Sequence, residues 1–240
     1  MPNFFRTIPF CALCIMSTIC PVPLAAQPLN DQAGEGNVNI YNLDRNAGVG
    51  GVEISGPIDK AVASKAMDLI RSIRPDVFEL TVFLNSQGGD ALAAIELGEE
   101  VRKQVALTAV DDHGECLGAC VLVLAAGVRR SPTPDSVGIR RLSFDPKEFA
   151  NMSADRANQK RAALLRKVET YLARMGMPKR LFQEMAQSSD KVRLLNASRL
   201  KTLGLDGTDP AFEEWERANK PADLHNQTND GVERMNPPRD

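Results

Sequence analysis

Apolar and polar positions along this chain switch repeatedly between a period of two and a period of three to four. "NVNIYN" (37–42) and "GVEISGPI" (51–58) alternate as strands do, and "ELTVFLNS", Glu79 to Ser86, is rich enough in β-branched and apolar residues for a buried strand. Between them, Lys60 to Arg74 has helical spacing. Asp90 to Arg102 is a second helix, in which Leu92 and Ile95 separate from Glu96 and Glu99 onto different faces. Val105 to Val110 predicts a further strand, Cys116 to Ala126 a buried helix, and "SVGIRRLSF" from Ser136 a strand after a Pro-rich turn. Strand, helix, strand, helix in this order predicts a parallel sheet with right-handed crossovers.

Beyond Pro146 the pattern is helical. From Ala154 to Met175, Leu164, Val168, Tyr171 and Met175 form one stripe with Leu165 and Leu172 beside it, and six basic residues take other positions. Such a helix either docks on its own domain or joins copies of the chain. "MPKRLFQEMAQ" predicts another helix, Val192 to Leu195 a short strand, and "ASRLKTLGL" a last helix closed by Gly204. From Asp206 the composition turns polar and Pro-containing, so residues 208–240 are expected to form a flexible tail.

The first 26 residues carry one charge, Arg6, then an apolar run from Ile8 to Ile19, then Leu24-Ala25-Ala26. This is the pattern of a secretory signal. The apolar segment, bracketed by Pro9, Pro21 and Pro23, is short of the ~20 residues a membrane span needs. Expected, then, is an exported, periplasmic or secreted protein with no membrane span after cleavage and a domain over residues 37–207. Removing Arg6 takes the net charge from −2 to −3. With no basic cluster and few aromatics, that charge gives no nucleic-acid footprint.

Three of the five cysteines lie in the leader, which leaves Cys116 and Cys120. An even pair in an oxidising compartment, spaced i, i+4 at a Cα separation of ~6 Å on a helical turn, favours a disulfide. Two other readings of the same residues are a thiol-base pair of Cys116 with His113 and a metal triad of His113, Cys116 and Cys120. No fourth ligand accompanies the triad, so neither metal nor other cofactor is expected. "NSQGGD" ends one strand and opens a helix, where the N–H groups of Gly88 and Gly89 are suited to an oxyanion-hole-like role.

In order and spacing, "VEISGPID", "NSQGGD", "CLGACVLVLAAGVRR", "SVGIRRL" and "LLNASRLKTLGLDG" resemble the Clp protease proteolytic subunit and its relatives. Crotonases and signal peptide peptidase A share that fold. The resemblance covers about Val52 to Gly207 and implies an α/β, ClpP/crotonase-like spiral of ββα units: a mainly parallel sheet flanked by helices, with a long helix in the C-terminal half. It also implies a serine nucleophile, a histidine base and an acidic third member. Matched position by position, these are Gly118, Arg140 and, near Ser188 to Asp190, Asp190. Glycine offers no nucleophile and arginine stays protonated. The implied function is therefore peptide or protein binding, or assembly through the 154–175 helix, rather than serine hydrolysis. The alternatives are a peptidase with an unassigned nucleophile and, less compatible with export, an acyl-thioester reaction. Arg140 and Arg141 are expected either to gather with Arg129 and Arg130 near the Gly118 turn or, preferably, to pair with Asp111, Asp112 and Glu115.

Overall fold

The computed structural model describes residues 35–219, so the leader and the last part of the tail lie outside the described residues. The chain is an α/β protein built on a mixed sheet flanked by helices. Six strands lie in the order β1 (Asn37–Asp44), β2 (Val49–Ser55), β3 (Glu79–Asn85), β4 (Leu107–Val110), β6 (Arg129–Pro132) and β9 (Gly207–Thr208). The four central strands run parallel, and β1 and β9 close the two edges antiparallel. A smaller sheet joins β5 (Cys116–Leu117), β7 (Val137–Ile139) and β8 (Arg193–Leu194).

Helices α1 (Lys60–Ile73) and α2 (Ala91–Lys103) follow β2 and β3 and begin where the sequence places them. Each is capped by an aspartate: Asp59 accepts from Val62 N and Asp90 from Ala93 N, satisfying donors that a helix start leaves open. Their inner faces bury Ala63, Ala66 and Ile70, and Ala94, Leu97 and Val101, against a sheet that supplies Val52, Ile54, Val82 and Leu84. The long helix α4 (Ala154–Arg174) buries Leu164, Val168, Tyr171 and Leu172 in its own domain, with Met175 just past its end. Helices α5 (Lys179–Gln187) and α6 (Ala197–Thr202) follow.

At the centre lies α3 (Cys120–Ala126), every residue of which is buried. A helix with no exposed face needs partners for its carbonyls from other elements. Leu122 O accepts from Tyr171 Oη at 2.7 Å, Leu124 O from Thr108 Oγ1 at 2.8 Å, and Gly127 O from Arg130 Nη1 at 2.8 Å. Tyr171 reaches in because α2 carries Gly98 there; a Cβ at that position would lie 1.8 Å from the tyrosine oxygen.

Several elements differ from the sequence expectation, among them the strands expected at 37–42 and 51–58, which are Asn37–Asp44 and Val49–Ser55. The predicted 116–126 helix is strand β5, a turn and then α3: Leu117 N donates to Ser86 O and Cys116 N to Ser136 O, and Gly118 has φ +57°. The strand expected from Ser136 to Phe144 ends at Ile139, though Ser143 still bridges Asp90. Strand β4 starts only at Leu107, because Val105 sits at φ 53°. Strand β6 was not expected at all: two arginines and a proline hide it, and its Arg130 is buried.

The polar stretch after Asp206 is also structured as far as Asn219. Strand β9 leads into α7 (Pro210–Asn219) through Asp209, which is only 6% exposed. Its Oδ1 caps the helix through Ala211 N at 2.9 Å, and its Oδ2 accepts from Arg102 Nη1 at 2.9 Å. Burial works against ionisation of Asp209, but the hydrogen bond and charge of Arg102, with the N–H groups of Ala211 and Phe212, outweigh it and hold its pKa below the ordinary value. A carboxyl lowered in the folded state adds stability that is complete above its unfolded value and is lost as pH falls through the folded one. Asp209→Asn is therefore expected to cost about 2 kcal/mol at pH 7. The gap from the parent should narrow as the pH drops below about 4, which urea unfolding of both proteins at pH 7 and pH 3 measures.

Candidate functional site

The end of β3, the start of α2, the β5–α3 turn and the end of β7 converge, so the structure brings Gly88, Gly89, Gly118 and Arg140 into one place. Isolated bridges tie the pieces together: Ile58 to Gly89, Ser86 to Cys116 and Asp90 to Ser143. Gly88 and Gly89 have φ +102° and +144°, and Cβ atoms on them would lie 2.6 Å from Leu117 O and 2.3 Å from Ile58 O. Side chains are excluded at both.

The two glycine N–H groups differ in their availability. Gly88 N donates to Ser86 Oγ at 3.1 Å, so it does not face outward. Ser86, fully buried, thus satisfies a local backbone group, as expected of a serine at a strand end. Gly89 N–H has no acceptor among the described residues. Gly89 also lines a groove of 570 Å³ that runs between the starts of α1 and α2 and the 143–148 segment, with Asp90, Glu96, Phe144 and Lys147 along it.

Arg140 is the dominant side chain of the site. A Cβ on Gly118 would lie 3.0 Å from Arg140 Nε and 3.1 Å from its Cγ. The arginine stem therefore covers the space a side chain at position 118 would need, and its Nη2 donates to Gln87 O at 2.6 Å. The sequence could not signal Gln87, because the group used is a backbone carbonyl. Gly118 is buried beneath this contact, with its N–H on Gly138 O at 2.9 Å.

Asp190 does not join Arg140. Its side chain is 84% exposed and faces Arg141 at 3.5 Å. The four arginines neither cluster at the turn nor pair with Asp111, Asp112 and Glu115. Arg129 pairs with Glu216, Arg130 turns inward to Gly127 O, and Arg141 pairs with Asp190. Asp111 instead accepts from His113 N within its own turn, and Asp112 accepts from Thr133 Oγ1, just past the end of β6.

Cys116 and Cys120 form a disulfide, with their Cα atoms 5.2 Å apart. Neither sulfur is then a nucleophile, so the thiol-base pair with His113 is not formed. His113 itself is exposed, and no group of three or more His, Cys, Asp or Glu side chains among the described residues is arranged to hold a metal ion. No helix among the described residues is long and apolar enough to cross a membrane.

What this arrangement offers chemically is the Gly89 N–H and the Arg140 cation, with no acceptor and no carboxylate partner respectively among the described residues, and a groove that Gly89 lines. No protein-family model matches this chain, and no curated protein matches it.

The packing predicts an energetic coupling. Gly118→Ala should cost about 2 kcal/mol, from the left-handed backbone together with the contact to Arg140. In an Arg140→Ala background only the backbone part should remain. A double-mutant cycle by chemical denaturation is expected to give a coupling of about 1 kcal/mol; additive costs would show that the contact carries no energy.

Proposed function

We propose that this chain is an exported member of the superfamily of the Clp protease proteolytic subunit and the crotonases, inactive as a serine peptidase, which acts by binding peptide or protein segments. The observation that carries the reading is the Arg140 stem packed over Gly118. The pair replaces a nucleophile and a base with a hydrogen atom and a fixed cation, and it fills the room in which a hydroxymethyl group would have to turn. The motif order from Val52 to Gly207 and the parallel core of the sheet support the spiral ββα arrangement. The leader pattern supports export, and the buried disulfide suits an oxidising compartment.

Binding is the chemistry left to such a site. An extended segment in the 570 Å³ groove would pass Gly89, whose N–H is open, as a peptide does when it adds to a strand edge. Losing the nucleophile or the base of a serine triad costs on the order of 10⁶ in turnover, so residual hydrolysis through the backbone alone would be negligible.

The test is chemical labelling of the purified protein lacking its leader. A serine-directed fluorophosphonate is expected to label nothing, and a thiol alkylator nothing until the protein is reduced under denaturing conditions. Labelling of a single serine overturns the reading. Restoring Gly118→Ser together with Arg140→His is expected to yield weak hydrolysis at best, since Asp190 points away from the site.

A further inference from the structure

A second, unrelated cluster lies where α5, β8 and α6 meet. Glu184 receives three guanidinium groups: Arg180 Nε at 3.1 Å, Arg193 Nη2 at 2.7 Å, and Arg199 Nη2 on the same oxygen as Arg180. Burial works against ionisation of this carboxyl, yet the three arginines outweigh it and hold its pKa below the ordinary glutamate value. Beside it opens a cavity of 430 Å³, lined by Lys191, Arg193, Arg199 and the turn through Ser188 and Ser189. Glu184 is the only carboxylate in its wall, which also carries Lys191, Arg193 and Arg199, so two positive charges are left unneutralised there. Lys191 Nζ has no partner among the described residues, nor has Ser189 N–H.

We infer that this cavity binds a doubly charged tetrahedral oxyanion, phosphate or the phosphoryl group of a phosphomonoester. Its donors come from a β-strand, a helix and a turn. They therefore approach from several directions, which suits a tetrahedral anion better than a planar carboxylate. Glu184 acts as the positioning residue: it holds the guanidinium groups of Arg193 and Arg199 at the cavity wall while neutralising only one charge. A purely structural ion-pair knot joining α5, β8 and α6 makes a different prediction for Glu184. Its removal would then lower stability and leave anion affinity unchanged.

The experiment titrates the full chain with inorganic phosphate at constant ionic strength, with chloride as the control, and follows heat of binding and thermal unfolding. Saturable binding with a Kd of about 1 mM and a rise in Tm absent with chloride are expected. Lys191→Gln with Arg193→Gln, both at exposed positions, should weaken binding at least about tenfold with an unchanged circular dichroism spectrum. Glu184→Gln, which keeps an oxygen that accepts from the guanidinium groups but removes the charge that competes with the anion, should tighten it about fivefold even though the unliganded protein melts earlier. Equal shifts with chloride, or the same affinity in the double variant, overturn the proposal, and an unchanged affinity in Glu184→Gln returns the cluster to a structural knot. Co-sedimentation with phosphatidic acid vesicles, lost in the double variant, would assign the phosphoryl group to a lipid headgroup; phosphate binding without co-sedimentation assigns it to a soluble molecule.

Discussion

A short helix with no exposed face is the constraint around which this molecule is arranged. Helix α3 runs through the core, and water reaches none of its carbonyls. Tyr171 from α4, Thr108 from β4 and Arg130 from β6 supply the donors at Leu122, Leu124 and Gly127. Leu124 O also accepts from Gly127 N, so Thr108 adds a second bond there, while a buried carbonyl left with no partner at all would cost about 1–3 kcal/mol. These contacts explain why α2 has a glycine at position 98, past which Tyr171 of α4 reaches α3, and why a strand with two arginines is kept beside β4. Because α3 starts at Cys120, the same constraint fixes the turn before it, and with it the floor of the candidate site.

That floor is a set of mutual fits. Gly118 is possible because Arg140 fills the space above it, and Arg140 is held there by Gln87 O. Gln87 belongs to the same turn whose glycines admit the backbone of Ile58 and Leu117. The disulfide closes the turn from the other side, joining the first residue of β5 to the first residue of α3. So small a loop stiffens the local geometry more than it stabilises the whole domain.

Much of this was legible in the residues, for identifiable reasons. The helices α1, α2 and α4 announce themselves because strong periodicity coincides with an Asp or Ser cap. The glycine pair could be read because it ends one apolar strand pattern and opens a helical one, and Gly118 and Arg140 were singled out only through the resemblance of short motifs. The β5–α3 boundary could not: an unbroken apolar run reads the same as strand or helix, and only pairing to Ser86 and Ser136 decides. Strand β6 and helix α7 were hidden for a different reason. Their polar residues are stabilised by partners far along the chain, Arg102 with Asp209 above all, and local composition carries no trace of that. The target of Arg140 and the outward turn of Asp190 likewise depend on tertiary geometry.

The interlock of Arg140 and Gly118 also bears on how such a protein changes over generations. A lone mutation that puts a hydroxyl at position 118 meets the arginine stem, whereas a lone mutation that puts an imidazole at position 140 leaves a void and nothing to deprotonate. Each intermediate on a one-step path is handicapped before any benefit exists. Selection acting on single substitutions is thereby steered toward elaborating the groove and the surface around it, and on the function proposed above the present pair would act as a ratchet against hydrolysis.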